Sequence, residues 1–252
     1  MKIVSPELEN SIIKEAIKHF EDVEFFSANN LDEATKLLAE KKADSLIAGI
    51  DSSSRDVVLA CKANIPLSSK YFSSCFVCER PDCHFVVADG GVNKQPDENQ
   101  LYCIVEDSAK TLIDYYGEQP KIAMLSYSTY GSGGKNPDLE KIHNVIHRIR
   151  KAHPDWLIDG EIQLDAAIDP SVAAKKTPES PLKGRANILI TPDLNSGNIL
   201  YKSLERFGGF TIAGPILQGF AVPLADLSRG STVEDVILTI KVIKKQFERK
   251  SL

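Results

Sequence analysis

A run of ten residues near the end of the chain places a hydroxyl, a guanidinium and a carboxylate around the start of one predicted helix. The run reads Asp-Leu-Ser-Arg-Gly-Ser-Thr-Val-Glu-Asp over positions 226–235. Ser231 and Glu234 have the spacing of a capping box, which predicts that the helix begins there. Ser228 and Arg229 then precede the helix, where free backbone N–H groups and the helix dipole favour an anion.

These side chains suit a reaction in which a phosphate departs and a proton is removed. Arg229 can bind a phosphate through paired N–H donors. Asp235, in the first turns of the helix, can accept a proton, and the hydroxyl of Ser228 can donate to developing negative charge. The same residues also fit an ordinary helix cap with a solvated arginine, so the run alone leaves both interpretations open.

A second polar loop, over positions 126–134, joins a predicted strand to a predicted helix. Its glycines and hydroxyls can direct several donors at one anion. The candidate binding residues in it are Ser128, Thr129, Gly131 and Ser132. The loop lacks the Lys-Ser/Thr ending of a P-loop, so a flexible polar loop explains it equally well.

A third loop, at positions 191–198, precedes a predicted helix that carries Arg206. Arg206 is a second candidate for binding an anion. It also lies near the end of that helix, where a cation interacts favourably with the last carbonyl groups. Both interpretations of this arginine stay open at the level of local sequence.

The elements that must position these residues alternate between strand and helix patterns. In the N-terminal quarter, strands are predicted at 2–4, 23–26 and 45–50, and helices at 11–20, 31–41 and 54–63. An antiparallel hairpin is predicted at 72–78 and 85–88, followed by helices at 99–116, 139–151, 198–207 and 233–249 and strands at 121–126, 186–190 and 211–217. We expect an α/β fold of two lobes with mainly parallel sheets and a cleft between them.

Composition limits the classes of function. The 252 residues are 42% hydrophobic and 26% charged, which is ordinary for a soluble globular protein. A net charge of −5 argues against general nucleic-acid binding. The sequence has no apolar run of membrane-spanning length and no signal peptide, so we expect a cytoplasmic protein without a membrane partner.

The five cysteines do not form a recognisable disulfide or metal framework. Cys75, Cys78 and Cys83, with His84 adjacent, have spacing that occurs in zinc sites. However, Cys75 and Cys78 fall in a predicted strand and would lie on opposite faces of it. We therefore expect buried or free thiols and no metal site.

Six segments, taken in order, resemble phosphate acetyltransferases of the phosphate acetyl/butyryltransferase family. They occupy positions 121–132, 159–167, 170–176, 192–198, 214–219 and 226–230. The segment Asp-Gly-Glu-Ile-Gln-Leu-Asp at 159–165 is similar to the acetyl branch. The resemblance implies an enzyme that interconverts acetyl-CoA plus phosphate with acetyl phosphate plus CoA. It implies direct thiol attack in a ternary complex, with CoA as a substrate and no tightly bound cofactor.

The resemblance also implies roles and an assembly. Asp235 would remove the thiol proton, Arg229 and Arg206 would bind the phosphoryl group, and Ser228 would stabilise the transition state. Residues 126–132 of the second polar loop would hold the phosphate from the other lobe. The first lobe would comprise residues 1–75 and 218–252, the second residues 76–217, and the protein would be a homodimer.

The sequence departs from the family pattern in three places. A long helical segment usual before residues 43–49 is reduced to a few turns. Leu59 stands where the family places an arginine, so Arg55, one turn earlier, is the candidate substitute. Gly90 stands where a cysteine is common, which a mechanism without an enzyme nucleophile tolerates. The shortened lobe favours, as an alternative, a non-catalytic protein that binds acyl-CoA or acyl phosphate. A phosphate acyltransferase for propionyl or butyryl groups is the other alternative.

Overall fold

The computed structural model describes residues 1–250, in which strands and helices alternate along the first 64 residues. These elements are β1 (Lys2–Ser5), α1 (Ser11–Ile17), β2 (Glu24–Ser27), α2 (Leu31–Ala39), β3 (Ser45–Ala48) and α3 (Ser54–Asn64). Asparagine side chains begin two of these helices, since Asn10 accepts from the N–H of Ile12 and Asn30 from that of Glu33. The predicted order of elements in this quarter is confirmed.

The remaining elements start with a hairpin and end with a long helix. They are β4 (Ser73–Arg80), β5 (Cys83–Ala88), α4 (Glu98–Tyr116), β6 (Lys121–Leu125), α5 (Pro137–Ala152), β7 (Leu157–Ile162), α6 (Leu164–Ile168), α7 (Pro170–Lys176), β8 (Ile188–Ile190), α8 (Leu194–Arg206), β9 (Thr211–Gln218), β10 (Leu224–Asp226) and α9 (Val233–Lys250). The antiparallel hairpin of β4 and β5 was predicted. The elements β7, α6, α7 and β10 were not.

The described strands form one continuous sheet in the order β2-β1-β3-β10-β9-β4-β5-β8-β6-β7. Pairing is parallel within β2-β1-β3-β10 and within β5-β8-β6-β7, and antiparallel at β10-β9, β9-β4 and β4-β5. The prediction of an α/β fold with mainly parallel strands is confirmed. The assignment of residues to two lobes stays a prediction, because the two parallel groups share a single sheet.

The two parallel groups run in opposite directions and meet at one level of β9. Ile216 in β9 is in register with Ala225 near the end of β10 and with Cys75 in β4. Cys75 is in turn paired with Ala88, the last residue of β5. The carboxyl ends of β10 and β5 therefore approach each other across the middle of β9. Ligands of parallel sheets bind at such ends, so both groups direct their loops toward the same space.

Helix α9 packs against β9 and also contacts α1 and α4. Its residues Val236, Ile240 and Ile243, which are spaced along one face of the helix, are completely buried. The last helix is thereby fixed to the same sheet as the N-terminal strands.

The predicted capping box of Ser231 and Glu234 is wrong by one residue. The reciprocal bonds form instead between Thr232 and Asp235. The Thr232 N–H donates to Asp235 Oδ2 at 2.8 Å, and the Asp235 N–H donates to Thr232 Oγ1 at 3.2 Å. Ser231 is used differently, because its N–H donates to the carbonyl of Ser228 and closes a turn before the helix.

The cysteines behave as predicted from the strand pattern. Cys75 and Cys78 lie in different hydrophobic clusters, on opposite faces of β4. Burial raises the pKa of the Cys61 thiol to about 12. Within the described residues no group of three or more His, Cys, Asp or Glu side chains could hold a metal ion. None of the described helices is long and apolar enough to cross a membrane.

Candidate functional site

A cavity of about 350 Å³ lies where the carboxyl ends of the two strand groups meet. Its volume is within the range of roughly 300–1,000 Å³ that is typical of small-molecule sites. One wall comes from Gly49 after β3, from α3 and from the segment after β10, and the other comes from the segment after β5 and from α8. Phe76 of β4 and Pro215 of β9 also contribute to the lining.

The segment after β10 presents Ser228 and Arg229 to this cavity. The hydroxyl oxygen of Ser228 accepts a 3.3 Å bond from the N–H of Gly230, and the Ser228 carbonyl accepts from Ser231. Arg229 is exposed, so its guanidinium is accessible to a ligand. The turn holds the backbone of this segment while the functional groups face the cavity.

Gly49 explains how β3 and β10 approach each other so closely at the cavity wall. The backbone at Gly49 has a φ of 114°, a conformation that residues with a Cβ rarely adopt. A Cβ there would overlap the carbonyl oxygen of Leu227 and Oδ1 of Asp226. The N–H of Leu227 donates to the carbonyl of Ala48 at 2.5 Å, which fixes the contact.

Helix α8 supplies the opposite wall. Asp193 caps the helix by accepting the N–H of Ser196 at 2.8 Å. From this start, Asn198, Lys202 and Arg206 follow at intervals of four residues on one face, and all three line the cavity. Arg206 lies close to the loop after β10, since a Cβ on Gly230 would be 2.9 Å from Arg206 Nη2.

The structure thus brings together three of the predicted site residues, Ser228, Arg229 and Arg206. It adds Lys202 and Asn198, which the sequence interpretation missed although their helical spacing from Arg206 was visible. The lining contains three cationic side chains and no acidic one among the described residues. Such a cavity favours an anionic ligand, and the guanidinium groups are suited to phosphate oxygens.

Asp235 does not line this cavity. It is 4% exposed, and both of its carboxylate oxygens accept hydrogen bonds. Oδ1 accepts from the N–H of Ile212 at 2.7 Å, and Oδ2 accepts from the N–H and hydroxyl of Thr232, each at 2.8 Å. In this arrangement Asp235 joins the start of α9 to the start of β9.

The loop at 126–134 follows β6 at the same sheet edge as the segment after β5, and it does not line the cavity. Its conformation is set by Glu161, which is completely buried. That carboxylate accepts from Ser128 Oγ at 2.7 Å and from Gly131 N–H at 2.6 Å. Ser132 Oγ accepts from the N–H of Thr129 at 2.9 Å, so the four predicted residues bond mainly within their own network.

Arg55 lies in the first turn of α3 and is exposed, and it is not in the cavity lining. Its neighbour Ser54 does line the cavity. Leu59, at the position of the expected arginine, is also exposed. The first wall of the cavity therefore receives a hydroxyl from α3 in place of a guanidinium.

Asp226 is a further residue at this site to which the sequence interpretation gave no role. It ends β10, is 2% exposed and lies directly beneath Gly49. Burial raises the pKa of Asp226 to about 6, and the charge of Glu7 adds to this rise. A hydrogen bond from Ser54 and the charge of Arg229 act in the opposite direction. The signal in the sequence was its place as the first residue of the segment at 226–230.

Comparisons with known proteins find related sequences over most of the chain. The model of the family described as "Phosphate acetyl/butaryl transferase" matches residues 10–243. The phosphate acetyltransferase of Clostridium acetobutylicum is 39% identical over 224 residues, 86% of this chain and 67% of that protein. The phosphate acetyltransferase of Treponema pallidum is 38% identical over 83% of this chain and 65% of its own length. The chain thus spans about two thirds of the length of these relatives.

A solved structure gives the corresponding result for the fold. The crystal structure of a phosphotransacetylase from Streptococcus pyogenes superimposes with a TM-score of 0.87 at 29% sequence identity. The match covers 99% of this chain and 94% of that one. The similarity therefore extends over both walls of the cavity.

Proposed function

We propose that this chain, which belongs to the phosphate acetyl/butaryl transferase family, transfers an acetyl group between coenzyme A and inorganic phosphate. The reaction would interconvert acetyl-CoA plus phosphate with acetyl phosphate plus CoA. One observation carries the proposal: Arg206, Arg229, Lys202 and the hydroxyl of Ser228 line a single cavity. The names of the similar proteins support the acetyl group as the one transferred.

The charges of the cavity fit the requirements of such a transfer. In the synthesis of acetyl-CoA, a thiolate attacks the acetyl carbonyl carbon and the bond to the phosphate oxygen breaks. Negative charge then grows on the departing phosphate, where fixed cations stabilise it more than in the ground state. Arg229 and Arg206, on opposite walls, are placed to bind that phosphate.

Direct transfer requires both substrates to be bound together. A cavity of about 350 Å³ has room for a small acyl phosphate and the thiol end of CoA, while the nucleotide end would lie outside. Holding the thiol against the carbonyl carbon replaces a bimolecular encounter by an oriented contact. The transfer needs no covalent enzyme intermediate, in keeping with the glycine at position 90.

The remaining sequence-based assignments enter the proposal as follows. The role of Asp235 as base and the contribution of the loop at 126–134 to phosphate binding stay predictions. Arg55 would have to change its side-chain position to reach a ligand.

The assembly as a homodimer and the cytoplasmic location also stay predictions. Phe207 at the end of α8 is 91% exposed, which supports a contact surface for a second copy of the chain. Light scattering would test whether the mass in solution is twice the 27.7 kDa of one chain.

The test of the proposed function is a turnover assay with matched variants. Thioester absorbance reports acetyl-CoA formation from acetyl phosphate and CoA, and acetyl-CoA loss in the reverse direction. Arg229→Ala and Arg206→Ala should each raise the KM for acetyl phosphate and lower kcat. Arg185→Ala, an exposed arginine outside the cavity, is the matched control and should behave like the wild type. No turnover by the folded wild-type chain would refute the proposal.

A second candidate, a non-catalytic protein that binds acyl-CoA or acyl phosphate, is favoured by one observation. The cavity lacks the guanidinium that the family pattern expects from α3, because Arg55 and Leu59 both lie outside it. Calorimetry separates the two candidates, since binding of CoA without turnover would support the second. Relative rates with acetyl-, propionyl- and butyryl-CoA would test the choice of acyl group.

A further inference from the structure

We propose that Lys202 donates to the carbonyl oxygen of the acetyl group and stabilises the negative charge that this oxygen gains when the thiolate attacks. The inference rests on the acetyl transfer proposed above and assigns one interaction of that reaction. It gives the third cation of the cavity a task different from that of Arg206 and Arg229. The two arginines bind the phosphate, and Lys202 acts on the acyl group.

The first observation is the place of Lys202 along α8. Asn198, Lys202 and Arg206 follow one another at single helical turns on the cavity face, about 6 Å apart along the helix axis. Asn198 Nδ2 donates to the carbonyl of Gly90 at 3.2 Å, in the segment after β5. Arg206 lies beside Gly230, in the segment after β10. Lys202 therefore occupies the middle of the cavity face, between two positions that are already engaged with the surrounding loops.

The second observation is that an aromatic ring holds the ammonium of Lys202. Its Nζ lies 5.0 Å from the ring centroid of Tyr201, a distance at which the face of an aromatic ring attracts a cation. Tyr201 in turn stacks on Phe76, with ring centroids 3.7 Å apart and planes inclined by 14°. Phe76 is completely buried and Tyr201 is 5% exposed, so the ring beneath the ammonium is fixed by the hydrophobic core. The position of the charge is thus set before a ligand binds.

The third observation is that no carboxylate neutralises Lys202. Arg206 has an ion pair with its neighbour Glu205, at 3.2 Å between Nη2 and Oε1. Among the carboxylates of residues 1–250, none forms an ion pair with Lys202. Its side chain is exposed and lines the cavity, so a ligand reaches the ammonium without first breaking an ion pair. The charge of Lys202 is therefore available to a substrate oxygen.

The chemistry of the three cations separates their tasks. A guanidinium offers paired N–H donors in one plane, which match two phosphate oxygens, whereas an ammonium is a compact charge on a flexible stem that suits a single oxygen. The carbonyl carbon of acetyl phosphate is two bonds from phosphorus. A phosphate held by Arg206 and Arg229 therefore places the carbonyl oxygen within reach of the next cation along α8, which is Lys202.

The step balances with Lys202 acting only as a hydrogen-bond donor. The thiolate lone pair forms the new bond to the carbonyl carbon as the π electron pair moves onto the carbonyl oxygen. An N–H of Lys202 stabilises the negative charge on that oxygen and keeps its proton. When the electron pair returns, the bond to the phosphate oxygen breaks and its electrons leave with phosphate. The thiol proton goes to the base of the reaction, for which Asp235 stays the prediction.

The experiment compares the steady-state kinetics of the wild type, Lys202→Met and Lys202→Ala in acetyl-CoA formation from acetyl phosphate and CoA. Methionine keeps an unbranched side chain over Tyr201 and removes the charge. Loss of a donor to a developing oxyanion lowers kcat by about 100-fold, and we expect this loss in both variants. The KM for acetyl phosphate should stay within about threefold of the wild-type value, because the interaction forms mainly in the transition state.

Inorganic phosphate separates the two tasks directly, because it has no carbonyl group. Its inhibition constant in the same assay should be unchanged in Lys202→Met. In Arg206→Ala the constant should rise about tenfold or more, the effect of a lost hydrogen bond to a charged group. A raised inhibition constant in Lys202→Met would overturn the inference, since Lys202 would then bind the phosphate. Wild-type kcat in both Lys202 variants would overturn it as well.

A control and the wild type itself separate the remaining outcomes. Lys175→Ala removes an exposed lysine of α7 outside the cavity and should keep the wild-type kinetic constants. Lys202 is exposed, so its variants should unfold within a few degrees of the wild-type Tm, measured by circular dichroism. Inactive wild-type protein would overturn the proposed acetyl transfer, whereas active wild type with equally active Lys202→Met would overturn only the role of Lys202.

Discussion

Replacing Asp235 by asparagine tests whether this carboxylate holds the last helix to the sheet. In the structure both oxygens face backbone N–H groups, of Ile212 on one side and Thr232 on the other. Asparagine is nearly the same size but offers only one acceptor oxygen. Whichever way the amide is oriented, its NH₂ group must face one of the two N–H donors. One buried hydrogen bond is therefore lost and one donor is left without an acceptor.

The size of the effect follows from these contacts. A buried donor left unpaired costs about 1–3 kcal/mol, and bonds to a charged acceptor are stronger than neutral ones by about 1 kcal/mol. We expect Asp235→Asn to lower the free energy of unfolding by about 3 kcal/mol. For a chain of this size that corresponds to a fall in Tm of about 6–12 °C.

The measurement is thermal unfolding followed by circular dichroism, with Glu234→Gln as the matched control. Glu234 is also acidic and in the first turn of α9, but it is exposed. Its replacement removes the same charge near the helix start, which is worth only about 0.3–1 kcal/mol. The difference between the two variants thus isolates the buried hydrogen bonds of Asp235.

An unchanged Tm in Asp235→Asn would refute the positioning role. Activity measured well below the unfolding transition gives independent information about catalysis. If Asp235 only positions the helix, the folded variant should keep most of its kcat at low temperature. A loss of 100-fold or more in folded protein would support the original prediction that Asp235 is the base.

Three further predictions concern Asp226, Glu161 and Gly49. Burial raises the pKa of Asp226 from 3.8 to about 6, so its ionisation opposes folding as pH rises through this range. Urea unfolding should then show Asp226→Asn to be more stable than the wild type by up to about 3 kcal/mol at pH 7. Below pH 4 the two proteins should have equal stability. A lower stability of Asp226→Asn at pH 7 would contradict this prediction. Hydrogen bonds to Glu161 outweigh the effect of its burial and lower its pKa, so its stabilising contribution is present at neutral pH and is lost in acid. Glu161→Gln should speed proteolysis of the loop at 126–134 at pH 7. As the pH falls, the proteolysis rate of the wild type should approach that of the variant. Equal rates at pH 7 would show that Glu161 does not stabilise the loop. Gly49→Ala should lower Tm much more than Gly134→Ala, because both have positive φ but only Gly49 lacks space for a Cβ.

Much of the fold was predictable because its elements have clear periodicity. The amphipathic pattern of α9 and the hairpin of β4 and β5 could be recognised without tertiary information. Strand β7 was missed because its sequence, Leu-Ile-Asp-Gly-Glu-Ile, places two acidic residues and a glycine inside a strand. Strand β10 was missed because three residues carry too little pattern.

The site was predictable only in part, for a physical reason. Ser228 and Arg229 could be selected because they occur in the segment at 226–230, and Arg206 because it lies on the helix predicted after the segment at 192–198. Lys202 could have been found from its helical spacing to Arg206. The position of Asp226 beneath Gly49 could not be predicted, since it depends on β10 lying next to β3. That pairing joins distant parts of the chain and leaves no local trace in the sequence.

The pairing of β10 with β3 has a consequence for synthesis of the protein on the ribosome. Strands β1, β2 and β3 emerge early, but their neighbour β10 and the covering helix α9 emerge near the end. Until then β3 has an unpaired edge that can associate with other chains. The nascent N-terminal segment therefore depends on late residues to complete its sheet, and stalled or truncated chains should be prone to aggregation.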